Sequence, residues 1–363
     1  MREVTQTPLS ARERQVLEAV VRTYVRTAEP AGSRTIARGF DLGVSPATVR
    51  NTMADLEAKG YLFHPHASAG RIPTDLAYRF YVDAVMEPVP MTAQEQRALL
   101  EELAEGGGVS GIELLLQRAA GALGVLTGEL GVALAPNLAD AVLERLELAP
   151  LSSGKVVLVL TLSGGQARTV YIEVGGELIP EAVVVVASIL NERLAGRSLR
   201  EIRATLPERL RDSAPPGDLA ASHLLNILVE SGDELFAPTK AAAGRVHLGR
   251  TSVLARQPEF SSGEELKSLI ELTEQRDLLA TVLTGSNSGQ TLRITIGSEH
   301  EHPELGAFTV VTSRYHSDGV SGVIGVVGPT RMPYEKVVAI VEQTSGLLSV
   351  LYGGDQSPRL DQR

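Results

Sequence analysis

Arginine and asparagine stand side by side at positions 50 and 51, within the stretch SPATVRNTMADL. Arg50 can donate two parallel hydrogen bonds to guanine, and Asn51 can pair with adenine or hold a phosphate. Pro46, Ala47 and Ala54 are small neighbours at helical spacing, so a helix that carries them can approach another surface closely. Ala47 can also touch a thymine methyl group. This pattern indicates the leading turns of a helix that enters a DNA major groove.

Local signals predict where this helix begins and which side it buries. Gly43 can adopt the positive φ of a tight corner between helices, Ser45 can act as the N-cap, and Pro46 fits the first helical position. The apolar residues then share one face, which must pack inward; they are Val49, Met53 and Leu56.

The preceding segment predicts two more helices. Ser10 caps a helix that runs to about Thr27. Pro30 and Gly32 then break the chain, and Ser33 caps the short helix that follows. Hydroxyls, backbone N–H groups and an arginine near helix starts suit phosphate binding. The residues predicted to contact phosphates in this way are Ser33, Arg34, Thr35, Ser45 and Thr48.

The stretch GYLFHPHASAGRIPT (60–74) has the extended, turn-rich character of a hairpin wing, with Arg71 near its returning strand. Such an arginine commonly reaches the minor groove or its phosphates. A closing helix over 74–86 follows, capped by Thr74. His64 and His66 could share a metal ion, but the sequence has no third ligand nearby. We therefore expect them to be solvated residues of the wing. The whole predicts a winged helix-turn-helix; two surface helices of an unrelated bundle are the alternative.

Charge is distributed unevenly along the chain. Residues 1–86 hold eleven Lys and Arg against nine Asp and Glu, a net charge of +2, whereas the whole chain carries −10, so the remainder carries −12. A mildly basic module on an acidic body is typical of a DNA binder, although charge scattered for solubility gives the same numbers. The chain has no cysteine, no apolar run long enough for a membrane span and no secretory signal, so we expect a cytoplasmic protein.

The remaining sequence predicts an α+β body. A glycine run splits two helices before residue 136, and KVVLVLTLSG with ARTVYIEVGG (155–176) indicates a β-hairpin. Further strands follow near the C-terminus, where Asp318-Gly319 is a hairpin turn signal, and a helix runs from Pro333 to about Tyr352. Residues 191–211 and the following PPGD suggest a helix-rich insertion. We expect one antiparallel sheet with helices on one side.

Other motifs predict no chemistry of their own. The glycines spaced by three residues from Gly319 to Gly328 alternate with Val and Ile inside a strand pattern, which disfavours a dinucleotide loop. GSEHEHPE (297–304) places two histidines between acids, and a solvated loop is favoured over a metal site. We expect no cofactor, no metal and no enzymatic activity.

Three segments resemble the signature of the HrcA family of bacterial heat-inducible transcription repressors. They are GSRTIARGFDLGVSPATVRNTMADLEAKGYL, HASAGRIPTDLAYRFYVD and VVTSRYHSDGVSGVIGVVGPTRMPYEKVVAIVEQTSGLLS. The segments lie at both ends in the expected order, so the resemblance covers essentially the whole chain. Thr52 departs from it where the family usually has an acidic residue, and residues 190–255 match poorly.

The resemblance implies a domain order and a function. It implies a winged helix-turn-helix (1–88), a GAF-like domain in two parts (95–190 and 259–352), an inserted dimerisation segment (191–258) and a tail (353–363). It further implies a homodimer that binds the CIRCE inverted repeat in double-stranded DNA, represses chaperone operons and is promoted by the chaperonin GroEL. The alternative is a winged-helix regulator whose GAF-like domain binds a metabolite.

Overall fold

The computed structural model of the chain describes residues 8–66, 69–104, 112–136, 138–151, 154–163, 166–175, 179–236, 246–285, 291–317 and 320–352. The chain divides into two compact units. The first comprises Met1–Ala133, His247–Ser313 and Ile324–Thr344, and the second comprises Leu134–Val246, Arg314–Val323 and Ser345–Arg363. Within the described ranges, no helix is long and apolar enough to cross a membrane.

The first unit begins with three helices, a two-stranded antiparallel hairpin and a fourth helix. These are α1 (Ala11–Thr27), α2 (Ser33–Gly39), α3 (Pro46–Ala58), β1 (Leu62–Phe63), β2 (Ile72–Pro73) and α4 (Asp75–Ala84). Their apolar faces form one core, in which Val16, Val20, Ile36, Val49 and Leu56 are completely buried. The helix and hairpin predictions for this segment are therefore confirmed.

Capping explains where these helices begin. Ser10 accepts from the backbone N–H of Glu13, and the Glu13 carboxylate accepts in return from the N–H of Ser10 at 2.8 Å. Lys59 donates to the same carboxylate at 2.6 Å and, with that N–H, lowers the pKa of Glu13. The prediction that Ser33 caps α2 is wrong. Gly32 is the N-cap without a side-chain hydrogen bond, because its extended backbone (φ −87°, ψ 142°) already starts the helix one residue earlier.

The corner between α2 and α3 follows the prediction closely. Gly43 has a φ of +62°, a left-handed conformation that favours glycine. Ser45 then accepts from the backbone N–H of Thr48 at 3.2 Å, and Pro46 occupies the first turn of α3. The two helices are thus joined by a short, conformationally fixed turn.

Further helices and a five-stranded sheet follow, with most of their residues in the first unit. Two helices precede the sheet, α5 (Ala93–Ala104) and α6 (Ile112–Thr127), with the predicted glycine run between them outside the described residues. The sheet has the strand order β7-β3-β10-β9-β8. Its strands are β3 (Leu130–Leu134), β7 (Val246–Leu248), β8 (Leu292–Ile296), β9 (Phe308–Ser317) and β10 (Val320–Pro329), and the later helices are α11 (Gly263–Glu274), α12 (Arg276–Thr284) and α13 (Tyr334–Tyr352).

Three of the glycines spaced by three residues, Gly322, Gly325 and Gly328, lie within β10, as the strand pattern predicted. A Cβ at Gly325 would lie 2.0 Å from the Val311 carbonyl oxygen, and one at Gly328 would lie 2.0 Å from the Glu129 carboxylate. These glycines therefore permit close packing. The turn at Asp318-Gly319 falls outside the described residues, but β9 and β10 are neighbours in the sheet.

The second unit is built on its own antiparallel sheet, in which β5 (Lys155–Leu162) pairs with β4 (Leu143–Leu151) and β6 (Gln166–Glu173). Four helices belong to the same unit: α7 (Pro180–Leu194), α8 (Leu199–Leu210), α9 (Leu219–Glu230) and α10 (Gly232–Leu235). Asn191 joins α7 to β4, because its amide accepts from the Leu146 N–H at 2.8 Å and donates to the Leu146 carbonyl at 2.7 Å.

The chain is α+β, as expected, but its body is arranged differently from the prediction. The predicted hairpin at 155–176 exists as β5 and β6, yet it forms a three-stranded sheet with β4 instead of joining β8–β10. The predicted start of the insertion at residue 191 lies inside α7, and the second compact unit starts at Leu134. Residues 191–211, which suggested a helix-rich insertion, hold the end of α7 and the whole of α8, which starts anew with Ser198 as its cap.

Candidate nucleic-acid interface

Helix α3 presents the small and polar face that its sequence predicted. Val49, Met53 and Leu56 are buried in the helical core. The opposite face is exposed and carries Pro46, Ala47, Arg50, Asn51 and Ala54. The buried residues fix the rotation of the helix, so the side chains suited to base edges point to solvent.

Arginines from three different elements line one cleft beside this face. The cleft has a volume of about 460 Å³, and we call it the arginine cleft; it is lined by Ala31, Gly32, Ser33, Arg34, Arg50, Met53, Ala69, Gly70 and Arg71. Four residues predicted from the sequence thus come together: Ser33 and Arg34 from α2, Arg50 from α3 and Arg71 from the hairpin. The other predicted residues, Thr35, Ser45, Ala47, Thr48 and Asn51, do not line the cleft.

Two predicted hydroxyls already have partners inside α3. The Ser45 Oγ lies 3.0 Å from the Thr48 Oγ1 while it caps the helix. Thr52, which departs from the family pattern, is buried and donates to the Thr48 carbonyl at 3.1 Å. The Thr52 side chain therefore lies on the buried side of α3 and is not on its exposed face.

Arg71 is held by a carboxylate that the sequence did not suggest. Its Nη2 lies 2.7 Å from the Oε2 of Glu57, in the last turn of α3, and the other carboxylate oxygen of Glu57 bonds to His64. His64 is exposed, as predicted for a solvated wing residue, and its contact with Glu57 is an addition that the sequence did not suggest. No sequence signal identified Glu57, because its contact depends on how the hairpin folds back onto α3.

The returning arm of the hairpin is also fixed through its backbone. Ala31 and Arg71 form a β-bridge in which each N–H donates to the other's carbonyl, at 2.8 and 2.9 Å. Gly70 is packed so closely that a Cβ would lie 2.5 Å from the Pro30 carbonyl oxygen. The cleft therefore has a defined shape on this side.

Polar contacts join α4 to the segment after β8. Arg79 donates to Glu299 at 2.6 Å through Nε, and this carboxylate raises the pKa of the Arg79 guanidinium. Asp75 accepts from the Ser298 N–H at 2.9 Å. The stretch 297–304, predicted as a solvated loop, is largely exposed, and it begins with a 3₁₀ turn that is hydrogen-bonded to α4.

A further contact network links α1, α4 and α13. Arg22 donates to the Tyr81 hydroxyl at 3.2 Å, and this hydroxyl donates to Glu335. Burial, together with Glu335, raises the pKa of Tyr81 to about 12. Arg331, just before α13, donates to the Val25 carbonyl at 2.8 Å. The first helices are thus positioned by hydrogen bonds as well as by their apolar core.

A small polar cavity lies beside β8. It has a volume of about 100 Å³ and is lined by Val282, Gly285, Arg293, Thr295, Glu299, His300, Glu301, His302, Val310 and Thr312. Burial lowers the pKa of His300. In the part of the chain that the structure describes, no three His, Asp or Glu side chains form a group that could hold a metal ion.

Comparison with known proteins identifies the family. Residues 113–338 match the family described as HrcA protein C terminal domain. The heat-inducible transcription repressor HrcA of Chlorobium phaeobacteroides (strain BS1) is 37% identical over 355 residues, which cover 94% of this chain and 97% of that protein. The protein of the same name from Carboxydothermus hydrogenoformans is 38% identical, with 95% of this chain and 98% of that one covered.

A solved structure supports the fold. The crystal structure of a hypothetical protein, determined at 2.2 Å resolution, matches 96% of this chain and 100% of its own with a TM-score of 0.57 and 24% identity. The relatives are named as heat-inducible transcription repressors, and this non-enzymatic role defines the class of the protein. The chain belongs to the HrcA family.

Proposed function

We propose that residues 8–88 form a winged helix-turn-helix and that the protein represses chaperone operons by binding the CIRCE inverted repeat as a dimer. The arginine cleft carries this proposal, because Arg34, Arg50 and Arg71 converge there beside the lean exposed face of α3. Cations from three elements around one groove can contact the phosphates and base edges of a duplex. Membership of the HrcA family supports the same conclusion.

In this proposal α3 reads the bases. Its exposed leading turns enter the major groove, where Arg50 donates to guanine and Asn51 pairs with adenine or a phosphate. Ala47 permits close approach and touches a thymine methyl group. Ser33, Arg34, Thr35 and Thr48 bind phosphates, with Arg71 on the side of the wing; the Ser45 hydroxyl serves mainly as the helix cap.

Dimerisation explains why the target is an inverted repeat. One winged helix reads a few base pairs, whereas two related by a twofold axis read two half-sites at a fixed spacing. We assign this pairing to the inserted segment (191–258), and a GAF-like domain to residues 95–190 and 259–352. The protein acts in the cytoplasm, where its operator DNA lies.

The proposed control is a shift between active and inactive forms. GroEL promotes the active repressor, and after heat shock unfolded proteins occupy the chaperonin, so the active population falls and transcription resumes. A small free-energy gap between the two forms is sufficient, since about 1.4 kcal/mol changes their ratio tenfold.

A gel-shift assay tests the proposal. The probes are a duplex with the CIRCE inverted repeat, the same duplex with one half-site scrambled and a random duplex of equal length, each with and without GroEL. We expect strong binding to the intact repeat only, and more of it with GroEL. Equal affinity for the intact and scrambled probes would refute sequence-specific binding by a dimer.

The metabolite-responsive alternative is less well supported. The polar cavity beside β8 has a volume of about 100 Å³, whereas small-molecule sites usually have about 300–1,000 Å³. Calorimetry against extracted metabolites distinguishes the two functions, because saturable binding at one site per chain would favour the alternative.

A further inference from the structure

One carboxylate of α3 contacts both arms of the hairpin. The Oε2 of Glu57 lies 2.7 Å from the Nη2 of Arg71, and the Oε1 bonds to the Nδ1 of His64. The side chains of Glu57 and Arg71 are only 27% and 21% exposed, so water screens this pair less than an open surface pair.

The hairpin geometry places both partners within reach of Glu57. Leu62 pairs with Pro73 and Phe63 with Ile72, so His64 and Arg71 stand opposite each other one step further along the hairpin. The backbone of Arg71 is fixed by its bridge to Ala31. The guanidinium can therefore turn between Glu57 and the cleft only by side-chain rotation.

We propose that Glu57 is a positioning residue that makes the phosphate contact of Arg71 conditional. In free protein and on random DNA, the carboxylate occupies the guanidinium in the place that a phosphate would take. On the operator, α3 enters the major groove fully and thereby places a backbone phosphate at the hairpin. That phosphate displaces Glu57 from Arg71. This inference rests on the proposed function, and it assigns Glu57 the task of widening the gap between specific and random binding.

The physical basis is competition between two anions for one fork of donors. Arginine binds carboxylate and phosphate with the same planar geometry. Random-sequence binding comes almost entirely from phosphate neutralisation, so an arginine that is already neutralised adds little to it. The Nε of Arg71 is buried and has no acceptor among the described residues, so Glu57 does not satisfy every donor of the guanidinium. A phosphate that displaces Glu57 can offer the missing acceptor once the guanidinium rotates toward the cleft.

The test compares salt dependence on two duplexes. Fluorescence anisotropy titrations on an operator duplex and on a random duplex, at 50 to 200 mM salt, are made with wild type, Glu57→Gln, Arg71→Ala and the double variant. Asp55→Asn is the matched control, because Asp55 is an exposed carboxylate on the same helix. Thermal unfolding of each variant reports its folding.

The expected results differ between the two duplexes. On random DNA, Glu57→Gln releases Arg71, so the slope of log K against log salt steepens by about 0.9, and the affinity gain over wild type grows about threefold from 200 to 50 mM salt. Adding Arg71→Ala removes this gain, and Asp55→Asn does not steepen the slope. In the wild-type background, Arg71→Ala leaves Glu57 as an unpaired carboxylate that weakens binding to both duplexes, so the expected signature is an operator slope that flattens by about 0.9 more than the random-DNA slope.

Three results would overturn the inference. They are a random-DNA slope for Glu57→Gln equal to that of wild type, a gain that persists in the double variant, and a random-DNA slope that Arg71→Ala flattens as much as the operator slope. The last comparison needs no Glu57 variant, so it decides even where Glu57→Gln fails to fold. Failure of the proposed function gives a different result, because the wild-type protein would then bind the operator duplex and the random duplex with equal affinity.

Discussion

Arg50→Ala tests whether α3 reads bases. Arg50 is exposed, lines the arginine cleft and makes no ion pair or side-chain hydrogen bond within the described part of the chain. Alanine is a better helix former than arginine, so the truncation should leave folding intact. Loss of a bidentate contact with guanine costs about 1–3 kcal/mol, which is about 5- to 150-fold in operator affinity.

The assay is a pair of titrations at one fixed salt concentration, on an operator duplex and on a random duplex. We expect Arg50→Ala to lose operator affinity by that factor and to keep its random-DNA affinity nearly unchanged. Arg38→Ala is the matched control, because Arg38 is an exposed arginine in the last turn of α2 and does not line the cleft. It should change neither affinity by more than a few-fold.

Base readout by Arg50 is refuted if Arg50→Ala lowers both affinities equally. That result would make Arg50 a phosphate contact, since phosphate contacts carry no sequence information. Substituting each guanine of the operator in turn would then show no base at which the wild type and the variant differ. A base at which the preference of wild type disappears in the variant would identify the partner of Arg50.

Three further predictions concern the hairpin, the N-cap of α3 and the buried carboxylate of Glu129. Gly70→Ala should displace the hairpin and weaken operator binding at least tenfold in the same titrations, because its Cβ would lie 2.5 Å from fixed backbone, whereas Gly39→Ala meets nothing within 4 Å and should be neutral. Ser45→Ala should lower the free energy of unfolding by about 0.5–2 kcal/mol in urea, whereas Ser33→Ala, which removes no cap, should have little effect. Burial raises the pKa of Glu129 from 4.5 to about 8, so the folded state holds this proton more tightly and stability falls as pH rises between these values. Urea unfolding should therefore show a loss on the order of 3 kcal/mol from pH 5 to pH 8 that Glu129→Gln abolishes, and equal pH profiles for the two proteins would contradict it.

The sequence predicted the first helices well because their signals are local. The cap at Ser45, the positive φ at Gly43 and the inward spacing of Val49 and Leu56 each depend on residues a few positions apart. The cap of α2 was missed because it depends on Ala31, whose bridge to a residue forty positions away holds the preceding backbone extended. Local chemistry predicts an element, and a distant contact shifts its boundary.

The arrangement of the body could not be predicted for the same reason. The β-rich run of β5 predicted a strand, and the Ser-Gly-Gly signal after it predicted the pairing with β6. Which sheet this hairpin joins depends on β4, whose sequence LERLELAPL mixes charged and apolar residues and gives a weak strand signal. Burial against α7 and the hydrogen bonds from Asn191 to Leu146 select that pairing, and neither is visible in a single segment.

Arg50 and Arg71 show that residue type alone does not determine a role in the interface. Both line the same cleft and both were predicted to contact DNA. Arg50 keeps a full charge facing solvent, whereas the charge of Arg71 is largely balanced by Glu57. A balanced pair produces a weak field beyond a few ångströms, so in the proposed complex we expect Arg34 and Arg50 to contribute more than Arg71 to the attraction that first brings DNA to the cleft. Arg71 can add its contact only after the duplex is close enough to compete with Glu57, which places it late in binding.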